Sequence, residues 1–303
     1  MTAPDVVFGF GAHTGVDEVP ELLRMARRAD ADGLDLVSLS DHPYFGSRLD
    51  AYATIGFLLG NTERIAGFAN VTNLPLRPPA MLARTVTTLS ALSGGRVVLG
   101  MGAGGLPDRI ADMGGRRFTP VEAVEAFEEA ILLVKSLAGG GEPVTHEGRH
   151  YRVRDIEPAP VAVPPVWTGS VGRKSLAATG RVADGWLPGH AADWLSERYR
   201  TSRPVIDEAA AAAGRDPREV RTILNFPGRI TDAPLAKTRD DEGRWIGGSV
   251  DQWVEELTSG VLEHGMSGFI LFPPGHAAHD DVSLGRWARE IVPAVREIVA
   301  KEA

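Results

Sequence analysis

The stretch RVVLGMGAGGLPD, residues 96–108, decides which kind of α/β fold this sequence encodes. Its first four residues are typical of a short strand, which runs into glycines spaced G-x-G-x-x-G: Gly100, Gly102 and Gly105. That spacing is the fingerprint of a dinucleotide-binding Rossmann domain, where the glycines form a tight turn against a pyrophosphate. Glycines at a strand end have other uses, because backbone without a Cβ allows a tight turn or the close approach of a ligand.

The surroundings of the fingerprint argue against a Rossmann domain. Such a fingerprint opens a βαβ unit, leads directly into a helix and precedes an acidic residue by about 20 positions. Here three strand–helix units come first, and the next well-marked helix begins only near Pro120. Glu122 and Glu125 lie inside that helix. The glycines are therefore interpreted as the end of a fourth strand. They form either a tight turn under a packed loop or a wall of backbone without side chains, against which a large planar or phosphate-bearing ligand lies.

Length and composition are those of an ordinary globular protein. A chain of 303 residues is long for one doubly wound domain and usual for one α/β barrel. No apolar run is long enough for a membrane span, and no signal-peptide pattern is visible. The absence of cysteine excludes disulfides, thiolate metal sites and a cysteine nucleophile, and it fits a cytoplasmic location. A net charge of −8 without a basic run argues against nucleic acid as a partner.

Short apolar segments alternate with helical patterns along the whole chain, which predicts a parallel sheet built from βα units. Strands are predicted over 6–12, 34–41, 64–72, 96–99, 165–170, 183–189, 219–227 and 267–273, and each is followed by a helix. Two helix starts carry capping boxes, Thr119 with Glu122 and Ser249 with Gln252. We therefore expect an α/β fold in which residues 1–303 form a single (β/α)8 TIM-type barrel domain, with small insertions at about 142–165 and 231–248.

Active sites of such barrels lie at the C-terminal ends of the strands, and three strand ends carry suitable residues. The second ends with Asp41 and His42, a carboxylate and an imidazole suited to acid–base chemistry, followed by Tyr44. The fourth ends in the glycines. The fifth leads into a helix start whose N–H groups, hydroxyl and cations suit an anion: Gly169, Ser170, Gly172, Arg173 and Lys174. Each feature alone has a structural explanation (a loop histidine, a tight turn, a capping serine), but together they favour a phosphate-bearing cofactor near His42.

Four segments resemble the bacterial luciferase-like oxidoreductases, a family of FMN-dependent monooxygenases and of enzymes that use the deazaflavin coenzyme F420. The segments are SDH (40–42), GFANVTNLPLRPPAMLARTVTTLSALSGGRVVLGMGAGG (67–105), WTGSVGRKSLAATGRVADGW (167–186) and PGH (274–276). The resemblance covers nearly the whole chain. The long second segment is the most specific, because it joins a strand, a proline-rich loop, a helix and the glycine-ended strand in that order.

The resemblance implies an eight-stranded barrel, usually dimeric, that binds reduced F420 or FMN at its strand ends. It implies that His42 acts in proton transfer or stabilises an intermediate. We expect Asp41, beside it, to tune or orient nearby groups. It further implies a non-prolyl cis peptide bond between Ala69 and Asn70 beside the cofactor ring. The cofactor would lie along Gly102, Ala103 and Gly104, and its phosphate at Ser170, Gly172 and Arg173. Because no nicotinamide motif is present, a separate reductase is expected to supply the reduced cofactor.

One departure limits what the resemblance implies. Some hydride-transferring F420 enzymes carry an acidic residue directly after the glycine run, where this sequence has Gly105 and Leu106. The role of that acid is therefore not carried over, the sugar or alcohol substrates of those enzymes become doubtful, and the small-molecule substrate stays unidentified. Both cofactors remain open; the SDH strand end and the modest insertion at 231–248 slightly favour F420.

A few further residues are candidates for the substrate pocket or a metal site. Tyr44, Trp186 and His276 are possible walls of the pocket, although core packing explains Trp186 equally well. His276 and His279 with Asp280 and Asp281 have the composition of a metal site, but no metal is expected from their loop spacing. Two other function classes stay open: a non-catalytic flavin-binding barrel, and a barrel lyase or hydrolase without a redox cofactor.

Overall fold

The protein alternates strands and helices along the described chain. The structure is a computed structural model that describes residues 6–189, 193–276 without the side chain of His276, and 279–302. The strands are β1 (Val7–Ala12), β2 (Leu36–Leu39), β3 (Ala66–Ala69), β4 (Thr72–Asn73), β5 (Leu99–Gly102), β6 (Val144–Glu147), β7 (Arg152–Ile156), β8 (Val166–Thr168), β9 (Gly185–Trp186), β10 (Arg221–Pro227), β11 (Arg229–Ile230), β12 (Gly247–Gly248) and β13 (Gly268–Phe272).

The helices pack outside these strands, and both predicted capping boxes are present. Their bounds are α1 (Val19–Ala31), α2 (Ala51–Leu59), α3 (Pro79–Ser93), α4 (Pro107–Asp112), α5 (Pro120–Ser136), α6 (Arg173–Val182), α7 (Glu197–Ala212), α8 (Val250–Leu262), α9 (Asp281–Arg286) and α10 (Val292–Glu302). A π-helical turn, Trp287–Ile291, joins the last two. Among the described helices, none combines the length and apolar character that a membrane span needs.

The central sheet is a parallel barrel. Its strand order is β3-β2-β1-β13-β10-β9-β8-β5-β4, and each neighbouring pair is parallel. The ring closes where the Gly67 N–H donates to the Arg96 carbonyl (3.1 Å) and the Val98 N–H donates to the Gly67 carbonyl (3.2 Å). Because β3 and β4 are two halves of one interrupted strand, the nine segments fill eight strand positions. The predicted TIM-type barrel is confirmed.

The interruption of the third barrel strand corrects one detail of the sequence analysis. The cis peptide bond joins Asn70 to Val71, one residue later than the expected Ala69–Asn70 bond. Ala69 still pairs with Leu39 of β2, and the Asn70 N–H still donates to the Leu39 carbonyl at 2.7 Å. The chain therefore follows the sheet through the nitrogen of Asn70 and departs from it only afterwards.

The opening glycines allow β5 to lie unusually close to this third strand. A Cβ on Gly100 would lie 2.0 Å from the Ala69 carbonyl oxygen, and one on Gly102 would lie 2.7 Å from a methyl group of Val71. A short helix, α4, begins at Pro107, where the sequence analysis expected no helix before Pro120. The parallel barrel nevertheless excludes the Rossmann interpretation, because three βα units of the same sheet precede these glycines.

The two predicted insertions lie outside the barrel sheet. Residues 142–165 contain the expected antiparallel hairpin, β6 with β7. Residues 231–248 lead into β12, which pairs with β11 in a separate two-stranded sheet.

The lower interior of the barrel is filled by side chains. One apolar cluster contains a buried residue from most barrel strands or from a position directly next to them: Leu36, Phe68, Val98, Trp167, Leu187, Ile223 and Ile270. A barrel whose interior is packed in this way offers room for ligands only at its mouth, where the C-terminal strand ends meet.

His279, which the sequence analysis weighed as a metal ligand, ties the last part of the chain to β1. Its Nε2 hydrogen-bonds the Gly11 carbonyl at 2.9 Å, and its ring meets Phe10 edge-on. Asp280 caps α9, and Asp281 pairs with Arg24. Burial, aided by the nearby His13, lowers the pKa of His279 to about 4, so the imidazole is neutral at pH 7 and its N–H donates to the carbonyl.

The lowered pKa of His279 predicts that the fold becomes less stable in acid. The unfolded chain binds a proton at His279 near pH 6.5 and the folded chain only near pH 4, so stability falls as the pH drops between those values. At about 1.4 kcal/mol per pKa unit, the free energy of unfolding decreases by about 3 kcal/mol from this group. His279→Gln, whose side chain keeps an N–H donor, should show a correspondingly shallower decline in urea titrations at pH 7, 6, 5 and 4. Equal declines for the two proteins would contradict this.

Candidate functional site

A cavity of about 450 Å³ opens at the barrel mouth, between the C-terminal ends of β2, the third barrel strand, β5 and β8. We call it the glycine-walled cavity. It is lined by Asp41, His42, Tyr44, Asn70, Val71, Thr72, Asn73, Gly102, Ala103, Gly104, Gly105, Phe127, Gly169, Ser170, Val171, Gly172 and Ser175. The three strand ends selected from the sequence therefore meet around one space, and its volume is that of a small-molecule site.

His42 is partly buried between this cavity and a second one. Its Nδ1 lies 2.6 Å from the Tyr44 hydroxyl, which fixes the ring orientation. Burial lowers the pKa of His42 below its usual value; the positive charge of Arg48 lowers it further, and Asp41 partly opposes this. The imidazole is therefore neutral at pH 7, and its Nε2 can exchange a proton with a ligand.

Asp41 is held by an arginine from the proline-rich loop. Its carboxylate accepts two hydrogen bonds from Arg77, at 2.7 and 2.8 Å, and a third from the Asn73 N–H at 2.9 Å. Only 1% of the Asp41 side chain is exposed. Arg77 also contacts Asp50, the N-cap of α2. This pairing fixes the end of β2 and hence the backbone that carries His42.

The residues around the cis peptide form the floor of the cavity. The Asn70 side chain donates to the Asn225 side-chain oxygen at 2.8 Å, across the barrel mouth from β10. Asn73 is buried, and its Oδ1 has no hydrogen-bond partner among the described residues. An unsatisfied buried acceptor at the edge of a cavity suits a ligand that donates a hydrogen bond.

The glycines shape the cavity in two ways. A Cβ on Gly102 or Gly169 would lie 2.7 or 3.0 Å from Val71, so these two glycines make room for that side chain. Gly104 adopts a left-handed φ of +99°, which a side chain rarely tolerates. Gly105 and Gly172, by contrast, face open space, apart from Ser175 Oγ at 3.8 Å from a Cβ on Gly172. The glycines therefore serve close packing at Gly102 and Gly169, whereas Gly105 and Gly172 leave open space at the edge of the cavity.

The N-terminus of α6 opens on the same cavity. Gly172 is its N-cap and supplies no side-chain cap, so the first backbone N–H groups are available to an anion. Ser170 is held in place, because its Oγ accepts from Thr179 (2.8 Å) and its carbonyl accepts from Trp186 (2.9 Å). Arg173 begins the helix, and neither it nor Lys174 forms a side-chain ion pair within the described chain; both are exposed.

Some predicted site residues do not reach the cavity. The Ala69 side chain is fully buried, and its carbonyl abuts Gly100. Trp186 is also buried; it stacks on Tyr199 and lies behind Ser170, because its indole N–H serves that carbonyl. Tyr44 does line the cavity. The side chain of His276 lies outside the described part of the structure.

Other residues of the site escaped the sequence analysis. Val71 and Asn73 lie within the segment that carried the resemblance, but only the turn after Ala69 brings them into the cavity. Asn225 sits near the end of the seventh predicted strand, so the strand-end rule could have found it. A larger cavity, of about 1,100 Å³, opens beside it at the end of β10; none of the predicted site residues with a described side chain lines it.

The chain is similar to known proteins over most of its length. The sequence model of a family described as luciferase-like monooxygenase matches residues 6–236. The F420-dependent glucose-6-phosphate dehydrogenase of Microbacterium testaceum (strain StLB037) is 31% identical over 251 residues, which are 79% of this chain and 73% of that protein.

Solved structures share the fold. An F420-dependent secondary alcohol dehydrogenase in complex with an F420–acetone adduct has a TM-score of 0.76 at 20% identity, covering 98% of this chain and 100% of that one. Riboflavin lyase (RcaE) with modified FMN and riboflavin has a TM-score of 0.78 at 14% identity, covering 97% of this chain and 92% of that one. These names support the predicted enzyme class, an oxidoreductase, and the predicted pair of cofactors, F420 or FMN.

Proposed function

Because the chain belongs to the luciferase-like monooxygenase family, we propose that it is an oxidoreductase that binds coenzyme F420 in the glycine-walled cavity and exchanges a hydride with a small organic substrate. The observation that carries the proposal is the convergence of a neutral imidazole, a bare glycine wall and an uncapped helix N-terminus on one cavity. F420 is preferred to FMN because a relative that matches over most of both chains is named as F420-dependent.

The residues of the cavity fit such a cofactor. Its phosphate would lie at the N-terminus of α6, with the hydroxyl of Ser170 as a further donor. Arg173 begins that helix but does not line the cavity, and its exposed side chain would add positive charge nearby. Its ring would lie against Gly102, Ala103 and Gly104, above Asn70 and Val71. The unsatisfied Oδ1 of Asn73 would accept from a ring N–H. When bound, the reduced cofactor supplies the hydride; the protein supplies binding, orientation and proton transfer.

His42 is proposed as the catalytic acid–base group. The acid of related enzymes has no equivalent here: Gly105 and Leu106 are exposed, and the first acid beyond them, Asp108, pairs with Arg117 at 2.6 Å. Among the residues that the structure describes, Asp41 is the only carboxylate that lines the cavity, and it is paired with Arg77. The neutral imidazole of His42 is therefore the group placed to hold or move a proton, and Tyr44 keeps its ring in position.

A second candidate is FMN-dependent monooxygenation, which the family's description favours. The same cavity and phosphate site would serve it, because both cofactors carry a planar tricyclic ring and a phosphate. The distinction lies in the cofactor that binds and in whether oxygen is consumed.

Three partners belong to the proposal: a small organic substrate, a second copy of the chain and a separate reductase that supplies reduced cofactor. No nicotinamide motif is present in the sequence, which motivates the reductase. The absence of cysteine motivates a cytoplasmic location.

A spectral titration of the protein with F420 and with FMN tests the proposal. We expect saturable binding of F420 with a shifted absorption band and weaker binding of FMN. A protein that binds tightly, but whose reduced cofactor is oxidised by no substrate and not by oxygen, would be a non-catalytic flavin-binding barrel. Failure of both cofactors to bind would overturn the proposal and leave a barrel lyase or hydrolase.

A further inference from the structure

We propose that Arg48 binds an oxyanion of the substrate, a carboxylate or a phosphate, in a second cavity that borders His42. This inference rests on the proposed function only in that it calls the bound anion a substrate. The anion site itself follows from the residues that line the cavity. The cavity has a volume of about 280 Å³, and we call it the arginine cavity. It is lined by Gly11, Ala12, His13, Ser38, Ser40, His42, Arg48, Asn70, Phe272 and Pro273.

The two cavities share His42 and Asn70 at the ends of β2 and the third strand, and they differ in the other strands that border them. The glycine-walled cavity lies at the ends of β2, the third strand, β5 and β8, whereas the arginine cavity lies at the ends of β1, β2, the third strand and β13. A ligand in each would therefore meet at the imidazole of His42. An acid–base group that borders both ligands can move a proton while the reacting atoms meet beside it.

The lining of the arginine cavity is rich in hydrogen-bond donors, and its described residues include no carboxylate. One guanidinium, two imidazoles, two serine hydroxyls and one carboxamide face a space bounded on one side by Phe272 and Pro273. The positive charge of Arg48, together with these donors, favours an anionic or strongly accepting ligand. The two apolar residues suit the short carbon skeleton of a small acid.

Arg48 is the group in this cavity that is free to bind the anion. One guanidinium nitrogen donates to Ser40 Oγ at 3.1 Å, and within the described chain Arg48 forms no ion pair. Arg77, in contrast, is neutralised by Asp41 and Asp50. A guanidinium offers five N–H donors in a planar fork that matches a carboxylate or phosphate. Its charge acts on His42, whose pKa is lowered in part by Arg48, so the two groups are electrostatically coupled across the cavity.

Titration of the full-length chain with small anions tests the proposal without any cofactor. The probes are oxalate, acetate and inorganic phosphate, with acetamide as the uncharged match of acetate, and the readout is the NMR shift of the His42 imidazole. We expect saturable binding of an oxyanion, at least about tenfold weaker in Arg48→Gln and within about threefold of wild type in Arg48→Lys. Whether oxalate or phosphate binds more tightly distinguishes a carboxylate from a phosphate substrate.

The control is Arg84→Gln, which removes an exposed arginine of α3 that lines neither cavity and should leave anion binding unchanged. Equal binding by Arg48→Gln and wild type, or equal binding of acetate and acetamide, overturns the proposal. A spectral titration of Arg48→Gln with the cofactor tests the alternative that Arg48 binds the cofactor. Weaker cofactor binding by this variant would support that alternative and overturn the proposal. If neither cofactor binds while the anion still depends on Arg48, the proposed oxidoreductase fails and the anion site stands.

Discussion

Replacing His42 by alanine lowers turnover by about 10²- to 10⁴-fold, the usual contribution of a general acid or base. Cofactor affinity should stay within about threefold of wild type, because the phosphate contacts at α6 are untouched. The reason is positional: His42 borders both cavities, is neutral at pH 7, and has Nδ1 engaged by Tyr44, so Nε2 is the atom that meets a reactant. Steady-state oxidation of reduced cofactor with any substrate that wild type accepts measures the effect.

Two comparison variants sharpen this experiment. His264→Ala removes an exposed histidine that stacks on Trp194 and should leave turnover unchanged. Tyr44→Phe keeps the imidazole and removes only its Nδ1 partner, so it should lower turnover by about tenfold, the cost of one lost positioning hydrogen bond. Wild-type turnover by His42→Ala across several substrates would exclude the acid–base role.

Replacing Arg77 by methionine destabilises the fold by about 3–5 kcal/mol, because it leaves a buried carboxylate without its partner. Asp41 is 1% exposed and receives two of its three hydrogen bonds from this guanidinium. Arg77 also lies over the ring of Tyr52, 4.7 Å from its centroid, so the apolar stem of methionine preserves part of the packing. Urea denaturation at pH 7 measures the change in the free energy of unfolding.

Matched substitutions identify the cause of that loss. Arg117→Met breaks the exposed pair with Asp108 and should cost less than about 1 kcal/mol. Adding Asp41→Asn to Arg77→Met removes the uncompensated charge and should restore part of the stability. If Arg77→Met costs no more than Arg117→Met, the end of β2 does not depend on the buried pair, and the orienting role given to Asp41 fails with it.

Sequence patterns predicted those features of the fold that are local or periodic. The eight strand–helix units and both capping boxes follow from the spacing of apolar residues and from pairs three residues apart, and the structure contains them. Strand lengths were less accurate: the sixth strand was predicted over 183–189, yet only Gly185 and Trp186 pair. Hydrophobicity alone does not distinguish a buried loop from a strand.

The features that were missed depend on contacts between distant parts of the chain. Asp41 and Arg77 are 36 positions apart, and Asn70 and Asn225 are 155 apart, so no local pattern joins them. Trp186 was placed at a strand end correctly. Its indole, however, packs against residues of α6 and α7 and donates a hydrogen bond to the Ser170 carbonyl, so it does not line the cavity. The cavity itself was predicted only as a meeting of strand ends, because the barrel rule gives the end of the sheet and not the direction of each side chain.

The central claim is that the cofactor occupies the glycine-walled cavity against α6, and the dissociation constant of oxidised F420 for Gly172→Leu tests it most directly. Gly172 has an ordinary φ of −79° and open space at its Cβ position, so leucine is compatible with the fold and fills the phosphate end of the cavity. Gly60→Leu, at the C-terminus of α2 with φ of −72°, is the matched control. The account predicts binding weakened at least about tenfold by Gly172→Leu and unchanged by Gly60→Leu. Wild-type affinity in a folded Gly172→Leu protein would contradict it.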